Sequence, residues 1–523
     1  MFAQTALNSL DSYKLGHPDQ YPQDVTKVSS NFTPRSIVHF NVPDDFKTGK
    51  IVWFGAMQYF LHTLKSVWDE TFFNKPWADL EKEIQTLYPA FCGPNGYKVD
   101  RLRKLWALGY LPLEIKALPE GSHVNVGIPV MTVTNTCGDE YWLPNSIETW
   151  LSFDLWRPST SATIAFVYRK IIEAGAEATG GNKDFVMWQG HDFSARGMGG
   201  FYDGARSGLG HLTSFYGTDS VAAADLMNKV YGGGIYGSVP ATEHAVMCAG
   251  GKESELETFR RLIRQYPNGI VSIVSDTWNF WNVIAGPTSI AAQLKDEILA
   301  RGDDEFGNGK VVFRPDSGDP VRIICGYEDW EVMEISGTKY VASTVSYFNG
   351  TYSGTVLSDF EIKGAVECLA ETFGTTTNAN GYKTLNRRVG LIYGDSITPR
   401  RAEEILRRLK NKGYASDNIV FGIGSFTYQY NTRDTLGFAM KATYVEKGGV
   451  GEAIFKDPIT DSGTKKSATG LLRVDKVGSE YILKQNCTPE EFAGGELKTV
   501  FLNGEVLLNE TFDVIRARVA EGL

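Results

Sequence analysis

The segment with the clearest chemical capability is Arg314-Pro315-Asp316-Ser317-Gly318, which follows an apolar run at residues 310–313. A carboxylate such as Asp316 can accept hydrogen bonds from both hydroxyls of a ribose. A guanidinium such as Arg314 can bind phosphate oxygens through two parallel hydrogen bonds. The pattern therefore favours a site for a phosphorylated sugar. The alternative is an Arg–Asp pair that only closes the loop.

Two more carboxylates, Asp276 and Asp395, follow similar apolar runs at residues 269–274 and 388–393. Several acids directed into one cavity repel one another unless hydroxyls, a metal or cations lie between them. A sugar supplies hydroxyls, and a diphosphate carrying magnesium supplies the metal. Gly394, just before Asp395, has no side chain and lets the backbone approach a ligand closely.

A glycine-rich turn, Gly422-Ile423-Gly424-Ser425, follows the apolar run at residues 418–421. Backbone amides in such turns bind phosphate groups. A tight turn without a ligand is the alternative.

Three further clusters carry residues suited to binding or catalysis. His244 follows Glu243 at the end of a loop that begins at Ser238, and a polar core histidine is the alternative. Phe193 and Arg196 could together face a flat ring and an anion. The alternative is that Phe193 is a core residue and Arg196 forms a surface ion pair. Asp219 could bind a ligand or be a helix N-cap.

Basic residues are concentrated near the C-terminal end of a chain that is acidic overall. Their position after the glycine-rich turn favours a phosphate site, and solvated surface charge is the alternative. The residues are Arg433, Lys441, Lys456, Lys465 and Lys466.

The elements that must position these residues are short apolar runs separated by helical patterns. Alternating strands and helices imply parallel strands, whose carboxyl ends gather functional residues at one edge. The first run is predicted as a strand over residues 184–189, ending before His191. A helix is predicted to begin at Pro158–Thr160, and residues 326–384 are predicted to be an inserted subdomain or hairpin excursion. A hairpin with a type I′ turn is predicted at Asn503-Gly504.

The composition excludes several classes of function. The net charge is −10 and the isoelectric point is about 5.4, which argues against nucleic-acid and anionic-membrane partners. The six cysteines show no metal-ligand or disulfide spacing. The first residues lack the pattern of a signal peptide, and no apolar stretch is long enough to span a membrane. We expect a cytoplasmic protein.

Over nearly its whole length, the chain resembles the nicotinamide phosphoribosyltransferase family. The matching motifs begin at Asp11-Ser12-Tyr13-Lys14 and continue through His191-Asp192-Phe193, Gly217-Thr218-Asp219, Glu243-His244 and Arg314-Pro315-Asp316 to Thr432-Arg433-Asp434. The resemblance implies an irregular type II phosphoribosyltransferase α/β barrel with a β-rich domain formed by both chain ends. The expected divisions are 1–158, 159–433 and 434–523. It also implies a homodimer with shared active sites.

The implied reaction joins nicotinamide to 5-phosphoribosyl 1-diphosphate, giving nicotinamide mononucleotide and diphosphate, with Mg2+ bound to the diphosphate. The resemblance implies that Phe193 stacks on nicotinamide, with Tyr13 of the partner subunit on the other face. Asp219 would accept the carboxamide N–H, and His244 would be phosphorylated by ATP as an optional activating step. Catalytic roles are expected for His244, Asp276 and Asp316. Further contacts to the substrates are expected from Arg196, Arg314, Gly394, Asp395, Gly424, Ser425 and Arg433, and to phosphates from Arg35, Lys441, Lys456, Lys465 and Lys466.

Three positions depart from the family pattern: Ser425 and Phe426 replace glycines, and Thr242 replaces an alanine. The rival enzyme is a nicotinate or other type II phosphoribosyltransferase. The rival from another class is a catalytically silent binding protein of the same fold.

Overall fold

A six-stranded parallel sheet lies at the centre of the computed structural model, which describes residues 3–457 and 467–523. Most of its residues are buried, as expected for a sheet covered by helices. The prediction of an irregular α/β barrel is confirmed, and the structure has it as a mixed α/β fold with a parallel half-barrel sheet. In spatial order the strands are Gly217–Thr218, Gly190–Asp192, Val420–Ile423, Val389–Tyr393, Val311–Arg314 and Val271–Val274.

The strand predicted over residues 184–189 is wrong. These residues form the 3-10 turn Lys183–Phe185 and the helical turn Val186–Gln189, and the strand is Gly190–Asp192. Short apolar runs do not distinguish a buried helical turn from a strand. The Gln189 side chain fixes the turn by donating to the carbonyls of Ser416 and Ile419, at 2.9 and 3.0 Å. His191 and Asp192 therefore belong to the strand itself.

A seven-stranded antiparallel sheet combines strands from both halves of the chain. The ring of Phe32, in this sheet, stacks on that of Phe438, just before the strand Ala439–Lys447, with centroids 5.0 Å apart. Positive φ angles at Asn503 (49°) and Gly504 (85°) confirm the predicted type I′ turn. Its strands, in order, are Val450–Ala453, Ala439–Lys447, Val25–Thr33, Met131–Asn135, Leu113–Ala117, Lys498–Leu502 and Glu505–Val506.

The helix that packs between the two sheets is Glu148–Thr179, so the predicted start at Pro158–Thr160 is wrong. Pro158 lies inside this helix, although a proline cannot donate the hydrogen bond that a helix interior requires. Burial of the residues on both sides of Pro158 offsets that loss. The Ser161 hydroxyl lies 2.8 Å from that of Ser207 in the neighbouring helix Phe201–Leu212.

Residues 326–384 contain three hairpins and the helices Asp359–Lys363 and Ala365–Phe373. No helix in the described ranges is both long and apolar enough to cross a membrane. The hairpins in this segment are Val332–Ile335 with Thr338–Val341, Ser346–Phe348 with Thr351–Ser353, and Thr375–Thr377 with Lys383–Leu385. Elsewhere Lys50–Trp53 pairs with Ser122–Asn125, and Leu471–Val477 with Glu480–Cys487.

The remaining α-helices surround these sheets. They are His17–Gln20, Met57–Trp68, Trp77–Leu87, Pro89–Cys92, Asp100–Leu108, Leu143–Ser146, Val221–Val230, His244–Gly250, Glu255–Gln265, Phe280–Ile284, Ile290–Gln293, Lys295–Leu299, Pro320–Cys325, Pro399–Asn411, Ser425–Tyr428, Pro489–Ala493 and Phe512–Ala520.

Candidate active site

Two adjacent strand ends bring His191, Asp219 and Ser238 together. The Nε2 atom of His191 lies 2.9 Å from Oδ1 of Asp219, and the Ser238 hydroxyl donates to the same oxygen at 2.6 Å. Burial favours the neutral carboxyl. The hydrogen bonds from His191 and Ser238 and the charge of Arg314 outweigh it and lower the pKa of Asp219. Asp219 is therefore an ionised hydrogen-bond acceptor at neutral pH.

Asp219 is not the N-cap of the helix that follows it. The cap of Val221–Val230 is Ser220, whose hydroxyl accepts from the amide of Ala223 at 3.4 Å. No described residue donates to the second oxygen of Asp219, Oδ2, so this atom is available to a ligand. The N-cap alternative for Asp219 is therefore wrong, and ligand binding by Asp219 stays a prediction.

An aromatic surface lies beside this carboxylate. The Phe193 ring packs against His191, with centroids 4.9 Å apart and an angle of 53° between the rings. A methyl group added at Gly422 would lie only 2.6 Å from the Phe193 ring and 2.7 Å from the carbonyl oxygen of Tyr393. Glycine at position 422 therefore allows the ring to lie directly against the strand. We call His191, Phe193, Asp219 and Ser238 the base cluster.

Asp276 connects the ends of two other strands. Its Oδ2 accepts hydrogen bonds from the backbone amides of Asp316 and Ser317, both at 2.8 Å. Its Oδ1 lies 3.4 Å from Nε2 of His244 and is buried without a hydrogen bond from any described residue. The buried carboxylate thus fixes the loop that carries Asp316 and keeps one oxygen free to interact.

Arg314 and Asp316 carry opposite charges beside this carboxylate. Burial raises the pKa of Asp316; the charge of Arg314 opposes this effect, and those of Asp276 and Asp395 add to it. The Arg314 guanidinium donates to the carbonyl of Thr242. A methyl group at Gly394 would lie 3.1 Å from Oδ1 of Asp316, so the absent side chain leaves this carboxylate accessible. We call His244, Asp276, Arg314, Asp316 and Gly394 the ribose cluster.

Arg314 connects the base and ribose clusters electrostatically. Burial lowers its pKa, whereas the charges of Asp316, Asp219 and Asp276 act in the opposite direction. Arg196 is exposed and acts on Arg314 as a like charge. The two guanidinium groups therefore form a positive region next to three carboxylates, as a ligand with both hydroxyls and phosphates requires.

A third group of residues, the basic cluster, comprises Arg35, Arg433, Lys441 and Lys456. Burial lowers the pKa of Lys441; Glu148 opposes this effect, and the like charges of Arg35, Lys456 and Arg433 add to it. Arg35 is held by a hydrogen bond from its Nε to the carbonyl of Gly437 at 3.0 Å. Three cations that destabilise the charge of Lys441 form with it a region that an anion would stabilise.

The other predicted residues are placed as follows. Asp395 is exposed and acts electrostatically on Asp316. Gly424 precedes the helical turn Ser425–Tyr428, and a methyl group there would meet no atom within 4 Å, so the turn is open. A side chain at Gly197 would overlap Ser425, which places the Arg196 loop against this turn. Lys465 and Lys466 lie outside the described residues.

Tyr13 is 61% exposed and lies in the 3-10 helix Ser12–Gly16. Its ring contacts His17 at 5.3 Å, and the Lys14 ammonium lies 5.2 Å from the ring centroid. Within the two described ranges, no ring contact joins Tyr13 to Phe193. Nor does a hydrogen bond or ion pair join the basic cluster to the base or ribose clusters there.

Sequence reasoning missed the supporting residue His211. It is fully buried, and burial lowers its pKa to about 4. The neutral ring can accept from the Tyr428 hydroxyl at 2.8 Å through Nδ1 and donate to the Gly217 carbonyl at 3.0 Å through Nε2. It thereby joins the strand before Asp219 to the turn that contains Ser425. A histidine within a helical pattern does not indicate in sequence which distant groups it will bond.

Metal binding by protein side chains alone is not supported in the described residues, where no cluster of three or more His, Cys, Asp or Glu side chains has metal-binding geometry. The free oxygen of Asp276 and the carboxylate of Asp316 nevertheless suit a magnesium ion that brings its other ligands with it. These residues therefore fit an ion that enters bound to a diphosphate.

Comparison with known proteins supplies an independent result. The model of the nicotinate phosphoribosyltransferase (NAPRTase) family matches residues 188–505. A nicotinamide phosphoribosyltransferase of Acinetobacter baylyi is 50% identical over 525 residues, which cover 100% of this chain and 98% of the relative. A nicotinamide phosphoribosyltransferase of Mycoplasma pneumoniae is 34% identical over 89% of this chain and 94% of the relative.

Two solved structures share the fold at low sequence identity. Nicotinate-nucleotide pyrophosphorylase from Pyrococcus furiosus superposes with a TM-score of 0.53 at 15% identity, covering 100% of this chain and 97% of the other. Human nicotinic acid phosphoribosyltransferase gives a TM-score of 0.50 at 15% identity, covering 98% and 93%. At this identity the two structures support the fold alone.

Proposed function

This chain belongs to the nicotinate phosphoribosyltransferase family, and we propose that it transfers the 5-phosphoribosyl group of 5-phosphoribosyl 1-diphosphate to nicotinamide. The products would be nicotinamide mononucleotide and diphosphate, as in salvage of pyridine nucleotides. The observation that carries the choice of base is the ionised Asp219, which has one oxygen fixed by His191 and Ser238. Its free oxygen can accept an N–H from a carboxamide.

Nicotinamide would lie against Phe193, with its carboxamide toward Asp219. The pyridine nitrogen is a neutral nucleophile, so the reaction needs no base to deprotonate it. Its lone pair forms the bond to the anomeric carbon while the bond from that carbon to the diphosphate oxygen breaks. The side chains mainly position two substrates and stabilise the departing charge.

The ribose cluster would hold the sugar and its diphosphate. Asp316 would accept hydrogen bonds from ribose hydroxyls, and Arg314 and Arg196 would offset the charge of the diphosphate. Gly394 leaves space for the sugar, and Asp395 would contact it from the same turn. The open turn at Gly424 and Ser425 would contribute backbone amides.

Magnesium would be held by the diphosphate together with Asp276 and Asp316. When bound, it supplies positive charge that stabilises the diphosphate as a leaving group. The free Oδ1 of Asp276 supports this assignment.

The basic cluster would bind phosphates, with Arg433 on the 5′-phosphate and Arg35, Lys441 and Lys456 nearby. Lys465 and Lys466 are proposed for the same role. In the described ranges, no hydrogen bond or ion pair joins the basic cluster to the base cluster within one chain, and Tyr13 is 61% exposed without a ring contact to Phe193. We therefore propose a homodimer in which Tyr13 and part of the basic cluster complete the partner's site.

His244 is proposed to accept a phosphoryl group from ATP. A ring nitrogen would bond to the γ-phosphorus as ADP leaves, and water would later cleave the P–N bond. The exposed ring of His244 and the buried Asp276, whose Oδ1 lies 3.4 Å from its Nε2, support this role. Such a step would be optional and would favour the forward direction.

From its composition, we place the enzyme in the cytoplasm.

Nicotinate is the competing base, and the description of the matched family favours it. Its carboxylate would be repelled by Asp219, but the Asp219 side chain is 44% exposed, so solvent screens part of this repulsion and we expect a preference for nicotinamide of about tenfold to a hundredfold. Mononucleotide formation with each base, 5-phosphoribosyl 1-diphosphate and magnesium tests the choice. Equal or faster use of nicotinate would exclude the nicotinamide assignment. No product from either base would favour a silent binding protein.

A further inference from the structure

A cavity lined by none of the residues of the three clusters lies at the junction of four elements. It has a volume of about 420 Å³. It is lined by the hairpin that pairs Lys50–Trp53 with Ser122–Asn125, the helix Glu148–Thr179, the hairpin around Lys476 and the end of the chain beyond Phe512–Ala520. None of its lining residues belongs to the base, ribose or basic clusters. Its volume falls within the range of small-molecule sites, which often occur where separate parts of a chain meet.

Four cationic side chains line this cavity: Lys50, Lys170, Lys476 and Arg518. Lys50 pairs with Glu480, and Arg518 pairs with Glu510 at 2.7 Å. In the described ranges, no carboxylate lies within ion-pair distance of Lys170 or Lys476. Glu521 also lines the cavity, so Lys170 and Lys476 are the two cations there without a described ion-pair partner that a bound anion would neutralise.

An aromatic ring of the lining lies beside each of these two cations. The Lys170 ammonium lies 5.7 Å from the centroid of Phe166, and the Lys476 ammonium lies 5.5 Å from that of Tyr481. His123 packs on Phe166 with centroids 4.5 Å apart. Burial lowers the pKa of His123 and the charges of Lys50 and Lys170 add to this effect, whereas the hydrogen bond to the Val519 carbonyl and the charge of Glu521 oppose it.

From this combination we propose that the cavity binds a small organic phosphate with an aromatic ring, of about the size of a mononucleotide. The phosphate would lie between Lys170 and Lys476, and the ring would pack on Phe166 and Tyr481. Cations paired with planar apolar walls suit a ligand that has one charged and one flat part. The inference does not depend on the proposed reaction.

Lysine labelling with pyridoxal 5′-phosphate tests this site, because this compound has a phosphate, a ring and an aldehyde. The lysine amine attacks the aldehyde, water leaves, and borohydride reduces the imine to a stable secondary amine. The full chain is labelled at limiting reagent, and mass spectrometry of its peptides locates the modified lysines. Lys104 and Lys229 are references, with side chains 67% and 72% exposed.

We expect Lys170 and Lys476 to be labelled about tenfold more than Lys104 and Lys229, equivalent to about 1.4 kcal/mol of preferential binding. AMP should suppress this labelling, and Phe166→Ala should weaken the suppression. The matched variant Phe91→Ala, at an exposed phenylalanine outside the cavity, should leave the suppression by AMP unchanged. Labelling in proportion to exposure, or labelling that AMP leaves unchanged, would overturn the proposal. Equal suppression by inorganic phosphate and AMP would overturn the claim that the ligand carries an aromatic ring.

Discussion

The imidazole of His191 lies 2.9 Å from the carboxylate of Asp219, on the neighbouring strand end. The contact fixes Oδ1 of Asp219, and together with Ser238 it offsets the burial that would otherwise favour the neutral carboxyl. Only an ionised Asp219 both accepts a carboxamide N–H and repels a carboxylate. Under the proposed role of Asp219, the choice of nicotinamide would thus depend on three side chains rather than one.

Replacing Asp219 with Asn should reduce discrimination between the two bases. The amide has no charge to repel nicotinate. We expect kcat/KM for nicotinamide to fall about a hundredfold, which corresponds to about 2.7 kcal/mol of lost transition-state stabilisation, while its ratio to that for nicotinate also falls. Steady-state assays with both bases measure this, and Asp225→Asn, on the exposed face of the next helix, is the control. An unchanged ratio would refute the role of Asp219.

Replacing Ser238 with Ala should alter the pH dependence. The hydroxyl lowers the pKa of Asp219, so its loss leaves burial less opposed and the pKa of Asp219 rises. Asp219 is active as the ionised form, which is lost as the pH falls through its pKa. The acidic limb of kcat/KM for nicotinamide should therefore move to higher pH. The exposed Ser346→Ala is the control, and a shift to lower pH would contradict the account.

Replacing His244 with Ala should separate the two activities. ATP hydrolysis and its stimulation of transfer should be lost, because no phosphoryl acceptor remains, whereas part of the ATP-independent transfer should persist. Parallel measurement of ADP and mononucleotide checks this, with the exposed His39→Ala as control. Stimulation by ATP that survives in the His244 variant would show that another group carries the phosphoryl transfer.

Replacing Arg433 with Ala should weaken binding of 5-phosphoribosyl 1-diphosphate. Loss of one charge-assisted contact to phosphate is expected to raise the KM for this substrate about tenfold, with a smaller effect on the KM for nicotinamide. Initial rates over both substrate concentrations measure the two values. Lys410→Ala, at an exposed position on the helix Pro399–Asn411, is the control. An equal rise in both KM values would indicate a general structural effect instead.

Replacing Gly422 with Ala should disturb the aromatic surface. The new methyl group would lie 2.6 Å from the Phe193 ring and 2.7 Å from a backbone oxygen that cannot move freely. Such overpacking costs about 1–3 kcal/mol, so thermal unfolding should occur at lower temperature and the KM for nicotinamide should rise. Gly424→Ala adds the same methyl group where no atom lies within 4 Å. Equal unfolding temperatures for the two variants would contradict the packing.

Much of this site could be predicted because its chemistry lies at strand ends. The apolar runs before Asp276, Arg314 and Gly394 form parallel strands, and the residues after them meet at one edge. Local sequence patterns gave wrong predictions of secondary structure where tertiary packing determines it. The helix continues through Pro158, and residues 184–189 form turns because Gln189 bonds to a distant segment.

The hydrogen bonds of two partners to Asp219 also could not be predicted from the sequence. His191 and Ser238 are 28 and 19 residues away from it, and neither position carries a local pattern that specifies the contact. The motifs that contain them could be recognised, but which atoms bond depends on how the strand Gly190–Asp192 and the loop at Ser238 pack. His211 and Tyr428, 217 residues apart, show the same limit.

The most direct test of the central claim is the ratio of kcat/KM for nicotinamide to that for nicotinate, measured with 5-phosphoribosyl 1-diphosphate, magnesium and the unmodified protein. The ionised Asp219 predicts a preference for nicotinamide of about tenfold to a hundredfold, since nicotinate would bring a second negative charge against a carboxylate that is 44% exposed to solvent. A ratio of one or less would contradict the account.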